Sequence, residues 1–516
     1  MFMNAIKETL NEDMNISITE NGAVGYRTSG KNLLDLNFAV ASLRSASEST
    51  IINKFKKAFT EDKILAMKWL FFARDAREGL GERRLFRVVI ADLVKSNPEM
   101  VIPVISLINE YGRYDDMWCL LDNTESAKVV LELVDNQLEE DLNNMRANKP
   151  ISLLAKWLPS ANASSAQTKK YAKQIYKALG LTEREYRKAL SKFRSYLDVV
   201  EVKMSGKNWS EIKYEAVPSR ANLIYNGAFL RNDEERRREY LGKLAKGEVK
   251  INASTLYPHD IVHKYTGGSY RVGKSKDETI EALWKALPDN VAGCDNTIVV
   301  ADGSGSMTCR IANTSVSALD VANALAIYFA EHSTGQFKDK YITFSNRPQF
   351  VDFSNCDSLH AKIQTALAHS EVANTNIEKV FDLILTTAIK HNMSQEDIPK
   401  NILIISDMEF DSCATCGNNS DDRYSYNKRP GKKLFDVIAK KYEDAGYQLP
   451  RLIFWNVNSS TGTIPVKENN LGVALVSGFS TNICKMVMSD ELDPYKCLLE
   501  TLNSERYAPV EAALTA

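Results

Sequence analysis

No stretch of this chain approaches the ~20 consecutive apolar residues that a membrane-spanning helix requires, so no insertion into a bilayer is expected. Cysteine is sparse. Eight in 516 residues are too dilute for a disulfide framework, and Cys119 and Cys497 lie in apolar or helical surroundings, so reduced thiols are expected. The first residues, MFMNAIKETLNEDMN, carry acidic and polar groups where a secretory leader would place its apolar segment, which points to a cytoplasmic protein. Histidine is scarce too, and no H-E-x-x-H pair occurs among the six, which excludes the common zinc-protease pattern. Neither a nucleophile elbow nor a distinctive pair of carboxylates stands out, so no enzyme is expected.

What is present is enough apolar sequence for more than one core. At 516 residues, with apolar residues at 44%, the chain is long enough for two or three self-sufficient domains. The formal charge of -1 conceals an uneven distribution. Residues 1–160 hold 20 Lys and Arg against 23 Asp and Glu, residues 161–290 hold 25 against 16, and residues 291–516 hold 20 against 27. A basic middle between acidic flanks suggests a surface that faces a polyanion.

The apolar period changes once along the chain. From Thr50 to about Leu287 it is helical, which predicts an N-terminal all-α helical-repeat domain over 31–290, a HEAT-like solenoid, open or closed into a ring. Residues 1–30 carry no clear pattern. Ile64–Phe72 marks an amphipathic helix that Gly79 and Gly81 end, and Leu85–Val94, Val101–Tyr111, Asp115–Asp122 and Ala127–Met145 continue the series. After the linker Pro288–Asp295, short β-branched runs alternate with helices, which predicts a doubly wound α/β domain over 291–516. Its expected strands are Thr297–Ala301, Tyr341–Phe344, Ile402–Ser406, Leu452–Val457 and Val473–Val476, with helices at Leu319–Glu331, Ile377–His391, Lys433–Asp444 and Pro494–Leu502.

The first of those strands, TIVVA, runs straight into Asp302-Gly-Ser304-Gly-Ser306. An open parallel sheet binds ligands beyond the carboxyl ends of its strands, so a carboxylate and two hydroxyls placed there converge. These are hard oxygen donors, suited to Mg²⁺ or Mn²⁺. Thr375, between Asn374 and Asn376, opens a later helix, and Asp407 ends the strand NILIIS. A plain helix cap would explain Ser304 and Ser306 alone; the order of all three elements favours a metal. Together Asp302, Ser304, Ser306, Thr375 and Asp407 resemble the metal-ion-dependent adhesion site of von Willebrand factor A domains. That resemblance implies direct ligation by the serines, ligation by the threonine directly or through water, aspartates acting mainly through water, and one position open to an acidic group of a partner protein.

Several segments of the helical half, Phe71–Gly81, Tyr111–Trp118, Lys156–Ser160, Trp209–Ala221 and Lys250–Val262, resemble the TROVE-module proteins, the Ro autoantigen family, and more closely a related family with the same type of C-terminal domain. The resemblance spans about residues 30 to 510. It implies a helical ring that binds small structured or misfolded RNA without catalysis, and no DNA specificity.

Two consecutive helices supply candidate phosphate contacts. Over Ala166–Leu179, Ala172, Ile175, Tyr176 and Leu179 form an apolar stripe, leaving Lys169, Lys170, Lys173 and Lys177 on another face. The next opens with a Thr182–Glu185 capping box and carries Arg184, Arg187, Lys188, Lys192 and Arg194 beside Tyr186, Leu190, Phe193 and Leu197. A solvated helix face is the plainer account of such charge; the family resemblance tips it towards RNA.

Three competing signals are weaker. Gly268–Ser275 matches the phosphate-loop pattern G-x-x-x-x-G-K-S through Lys274, yet no strand feeds it, so a glycine loop before a helix is expected instead of a nucleotide site. Cys413 and Cys416 have C-x-x-C spacing without a second ligand pair in the sequence nearby, although Cys309 could approach in space. His259 and His263 lie four apart on an expected helix and fit packing or an RNA-facing surface. The overall expectation is an RNA-binding protein with a metal-dependent docking domain. The alternatives are a protein-assembly module without RNA, and an adaptor or regulator of an ATP-driven machine.

Overall fold

The computed structural model describes residues 14–19, 24–268, 271–273, 275–291, 296–312, 314–344, 347–370, 378–410, 434–459, 462–465, 473–483 and 493–516. They form two compact units, one of Met1–Thr50 with Leu256–Thr501 and the other of Ile51–Thr255 with Leu502–Ala516. The units are therefore interleaved in sequence, unlike the linear division at 290 and 291 expected from the change of period. Among the described residues no helix is long and apolar enough to cross a membrane.

The first unit is α/β. It opens with a short antiparallel hairpin, β1 (Ile16–Ile18) and β2 (Val24–Tyr26). Its main sheet holds β3 (Thr297–Asp302), β4 (Lys340–Phe344), β5 (Phe350–Asp352), β6 (Asn401–Ser406), β7 (Arg451–Asn456) and β8 (Val473–Ser477) in the order β5-β4-β3-β6-β7-β8. All neighbours are parallel except β4 and β5. β3, β6, β7 and β8 are buried almost throughout, which is why TIVVAD, NILIIS, RLIFWN and VALVS read as continuous apolar runs and not as alternation. The five expected strands are present. The sixth, β5, is a three-residue edge that alternates exposed, buried, exposed, too short a pattern to recognise in sequence.

The helix Ala318–His332 packs on β3, β4 and β6, and every residue from Ala318 to Ala330 is buried. Ser317 caps it, accepting from the Asp320 N–H at 3.1 Å. Two helices assigned by periodicity to the other half, Pro258–Thr266 and Glu278–Lys285, belong to this unit and pack in series against that central helix and Leu359–Ala368. The N-terminal helix Asn32–Phe38 joins it as well: the Ala41 N–H donates to Ser477 Oγ at 3.1 Å, and Asn456 Nδ2 donates to the Phe38 carbonyl at 2.9 Å.

The second unit is wholly helical among its described residues. Lys63–Arg74 is its spine, started by the Asp62 carboxylate, which accepts from the Leu65 N–H at 2.9 Å. The sequence predicts an amphipathic helix here; instead every residue from Ala66 to Arg74 is buried, Lys68 and Arg74 included. Those two cations are tolerated because each has an anion. Lys68 Nζ lies 2.7 Å from Glu511, and Arg74 pairs at 2.6 Å with Asp116, whose other oxygen is 2.7 Å from Arg87 Nε. Asp75, also fully buried, receives Arg506 through two bonds of 2.8 and 3.2 Å. Gly112 lets the chain pass this network: a Cβ there would lie 2.6 Å from Asp116 Oδ2 and 2.8 Å from Arg74 Nε. The segment expected as a helix at Asp115–Asp122 is instead two short 3₁₀ turns, Tyr114–Asp116 and Trp118–Asp122, because the Asp116 side chain bonds the Arg113 N–H and closes the turn tightly.

Removing one partner from a buried ion pair strands the other charge, at a cost of ~3–5 kcal/mol. Asp116→Ala is therefore expected to lower the urea midpoint of the helical unit strongly, whereas Glu234→Ala, which breaks the exposed pair with Arg238, leaves it nearly unchanged. Equilibrium denaturation of the two variants followed by circular dichroism checks this.

Candidate metal centre and nucleic-acid interface

The register of the sheet builds the candidate metal centre. β3 and β6 pair with Ala301 opposite Ile405, so their ends place Asp302 beside Ser406 and bring Asp407 to the same edge. Asp302 is buried, its Oδ1 accepting from the Ser304 N–H at 2.8 Å and its Oδ2 from the Ser406 hydroxyl at 2.7 Å. Ser406 Oγ in turn accepts from the Met408 N–H at 2.9 Å, and Asp407 Oδ1 accepts from the Glu409 N–H at 3.2 Å. Met408 holds a φ of +65°, a left-handed conformation for a residue with a side chain, so the chain turns abruptly between Asp407 and Glu409.

Ser304 and Ser306 place their hydroxyl oxygens 3.0 Å apart. Two ligands at right angles around Mg²⁺, each ~2.0–2.1 Å from it, are separated by ~2.9 Å, so this pair matches one edge of an octahedron. Both oxygens of Asp302 already accept protein donors, which suits contact with an ion through water. The donor set is all oxygen and draws on the serine hydroxyls, since among the described residues no group of three or more His, Cys, Asp or Glu is placed to hold a metal ion. Asp302, Ser304, Ser306 and Asp407 therefore fit a hard divalent cation. Thr375 lies outside the described residues.

Burial, with the Asp407 carboxylate close by, pushes Asp302 up to about 7. Two carboxylates in one dry edge call for a compensating positive charge. Behind them Glu409 is buried as well and accepts from Ser459 Oγ at 3.2 Å. Sequence reasoning overlooked Glu409 and Ser406, although both stand within two residues of Asp407 at the end of an apolar strand, where a polar side chain is a signal in itself.

The candidate RNA surface belongs to the helical unit. Ala166–Ala178 and Glu183–Tyr196 form as expected, with the Thr182–Glu185 capping box in place and Ala172, Ile175, Tyr186, Leu190 and Phe193 buried. Lys169, Lys170, Lys173, Lys177, Arg184, Arg187, Lys188 and Lys192 are exposed. Lys170 is committed in part, with Nζ 2.5 Å from Asp122. Arg194 is a different case. It is half-buried and donates to the carbonyls of Ala155 at 2.9 Å and Leu158 at 2.8 Å and to Ser160 Oγ at 3.1 Å. That arginine ties a helix to the Leu154–Ser160 turn and is withdrawn from the phosphate-facing set, a role invisible in sequence because carbonyl partners have no identity there.

The weaker signals resolve in part. Lys274, Cys413 and Cys416 lie outside the described residues, and Cys309 is an exposed free thiol. The helix after the glycine loop starts at Glu278, and Asp277 caps it by accepting from the N–H groups of Thr279 and Ile280 at 2.8 and 3.1 Å, so a carboxylate already occupies the place a phosphate would take. His259 is buried, stacked on Tyr257 and edge-on to Phe479. His263 bonds within its own unit to Asp320 and Ser315.

Uncharacterized protein L728 of Acanthamoeba polyphaga mimivirus is 30% identical to this chain over 536 aligned positions, covering 96% of the chain and 89% of the viral protein. The chain belongs to that protein's family. Residues 128–294 match a domain of unknown function, DUF2828, and residues 296–506 match another, DUF7788. Among solved structures, the RO (RSR) protein of Deinococcus radiodurans aligns over 87% of this chain and 93% of its own, at 11% identity and a TM-score of 0.35, a likeness too slight to carry an argument.

The raised Asp302 has a definite consequence for the metal-free protein. A folded carboxyl near 7 keeps a proton that the unfolded chain, at 3.8, gives up, so the contribution of Asp302 to stability is highest at low pH, declines between about 4 and about 7, and is level above. Thermal unfolding in chelator at about pH 5 and about pH 8 is expected to show this decline in the wild type and a flatter profile in Asp302→Asn.

Proposed function

We propose that this is an RNA-binding protein in which a HEAT-like helical unit holds small structured or misfolded RNA and a von Willebrand factor A-like unit docks an acidic partner protein through Mg²⁺ or Mn²⁺. The observation that carries the RNA reading is the run of seven exposed cations, Lys169, Lys173, Lys177, Arg184, Arg187, Lys188 and Lys192, on two successive helices, with no ion pair among the described residues. Exposed cations that form no ion pair among the described residues are suited to phosphates, and the TROVE-like sequence segments favour RNA as their source. Binding of this kind needs no catalytic step, no membrane and no DNA specificity, and it fits a cytoplasmic protein.

The metal reading rests on a separate observation, the octahedral edge formed by Ser304 and Ser306 next to two buried carboxylates. Ser304 and Ser306 would hold the ion directly, with Asp302, Asp407 and Thr375 around it. A bound cation supplies charge compensation for the carboxylates and an open position for a partner's acidic side chain. Asp302 and Ser406 keep the serine loop in place whether or not a partner is present.

Millimolar Mg²⁺ is expected to raise the melting temperature of the wild type and not that of Asp302→Ala; equal shifts in both, or none in either, would count against a resident metal. For RNA, replacing Lys169, Lys173 and Lys177 with Ala removes three candidate contacts and spares Ala172 and Ile175 beneath them. If all three meet phosphate, the slope of log K against log salt is expected to flatten by ~2–3 units, at ~0.7–0.9 per contact. The measurement is a salt series with a structured RNA bearing a single-stranded 3′ tail, with circular dichroism as the folding control. Absence of RNA binding by the wild type would leave a protein-assembly role for the helical unit.

A further inference from the structure

In the α/β unit, His263 meets two side chains more than 50 positions along the chain, giving the order nucleophile, base, carboxylate. His263 Nε2 lies 2.8 Å from Ser315 Oγ, and His263 Nδ1 lies 2.9 Å from Asp320 Oδ2. A carboxylate only accepts, so in the neutral ring the tautomer that satisfies both contacts has the proton on Nδ1 and leaves Nε2 to accept from the serine hydroxyl. Both distances fall within the ~2.6–3.2 Å over which a base can take a proton from a nucleophile.

The supporting contacts hold the set rigidly. Asp320 is buried; Thr266 Oγ1 donates to its Oδ1 at 2.6 Å and the Ser317 N–H donates to its Oδ2 at 3.2 Å. His263 stands on the last turn of Pro258–Thr266, partly exposed, while Ser315 is exposed on the tight loop closed by the Ile311 N–H bond to the Val316 carbonyl at 2.9 Å. Gly268 closes the other side. At φ +78°, its absent Cβ would lie 2.6 Å from the Ser315 carbonyl oxygen and 3.5 Å from His263 Cε1, so only glycine lets the turn after the helix press against the serine loop.

We propose that Ser315, His263 and Asp320 form a second functional site, a serine nucleophile with its base and orienting carboxylate, acting on acyl esters. Ser315 Oγ attacks the ester carbonyl carbon while its proton passes to His263 Nε2, and Asp320 stabilises the resulting imidazolium. Collapse breaks the carbon–oxygen bond to the alcohol, which departs with the proton from Nε2. Water, deprotonated by the same nitrogen, then attacks the acyl-serine and releases the carboxylic acid, restoring Ser315. One ester and one water become one acid and one alcohol. The site shares no residue with the metal centre or the RNA surface, so it stands or falls independently of those readings.

The test uses the full chain, a fluorophosphonate probe and p-nitrophenyl acetate. The probe is expected to modify Ser315, located by mass spectrometry of the digested protein. Labelling and acetate release are expected to fall about 100-fold or more in His263→Gln, the scale of general-base assistance, and Ser315→Ala is expected to lose the adduct altogether. Melting curves confirm that each variant folds; if His263→Gln does not, Ser315→Ala and Asp320→Asn carry the comparison, with Asp320→Asn expected to react slowly because the ring loses its fixed tautomer. An unlabelled Ser315 in the wild type, or labelling that persists undiminished in the folded His263→Gln or Asp320→Asn variant, would overturn the assignment and leave the three residues as a hydrogen-bonded brace between two helices.

Discussion

The α/β unit depends on two carboxylates that ought to repel one another. Strand register sets Asp302 and Asp407 at the same sheet edge, and burial removes the water that would screen them. Much of the local structure serves to make that juxtaposition bearable: the Ser406 hydroxyl and the Ser304 N–H spent on Asp302, the Glu409 N–H spent on Asp407, and a non-glycine residue held at positive φ to let the chain turn away. A fold retains such local cost where the geometry has a use. The use proposed for the serine hydroxyls is to hold a cation.

The helical unit handles buried charge by the opposite arrangement, each ion with its counter-ion. Arg74 and Arg87 share Asp116, Asp75 takes both bonds from Arg506, and Lys68 has Glu511. Buried pairs of this kind add little net stability compared with apolar packing, but a mismatched arrangement leaves charges stranded, so they penalise alternative packings of near-equivalent helices.

How much of this was legible in sequence varies with the kind of signal. β3, β6, β7 and β8 were readable because a parallel sheet covered on both faces needs uninterrupted apolar runs, and Asp302 and Asp407 were readable because each ends such a run. The spine helix Lys63–Arg74 misled, since Lys68 and Arg74 mimic a solvent face when their partners lie far along the chain. Lys170 and Arg194 stood with their neighbours as free cations, but Asp122 and the carbonyls of Ala155 and Leu158 claim them through folding alone. The contacts of His263 with Ser315 and Asp320 bridge 52 and 57 positions, beyond any local pattern.

The interleaving of the two units bears on the order in which the chain can fold as it is made. Ile51–Thr255 is complete early, yet its unit also includes Leu502–Ala516, which is synthesised only after the whole of Leu256–Thr501. At ~5–20 residues per second, Asp75 and Lys68 wait roughly 20 to 90 s for Arg506 and Glu511. During that interval the spine helix carries unpaired charges in a forming core. Leu502–Ala516 thus acts as a late fastener, so the helical unit reaches its final packing only after that segment has left the ribosome.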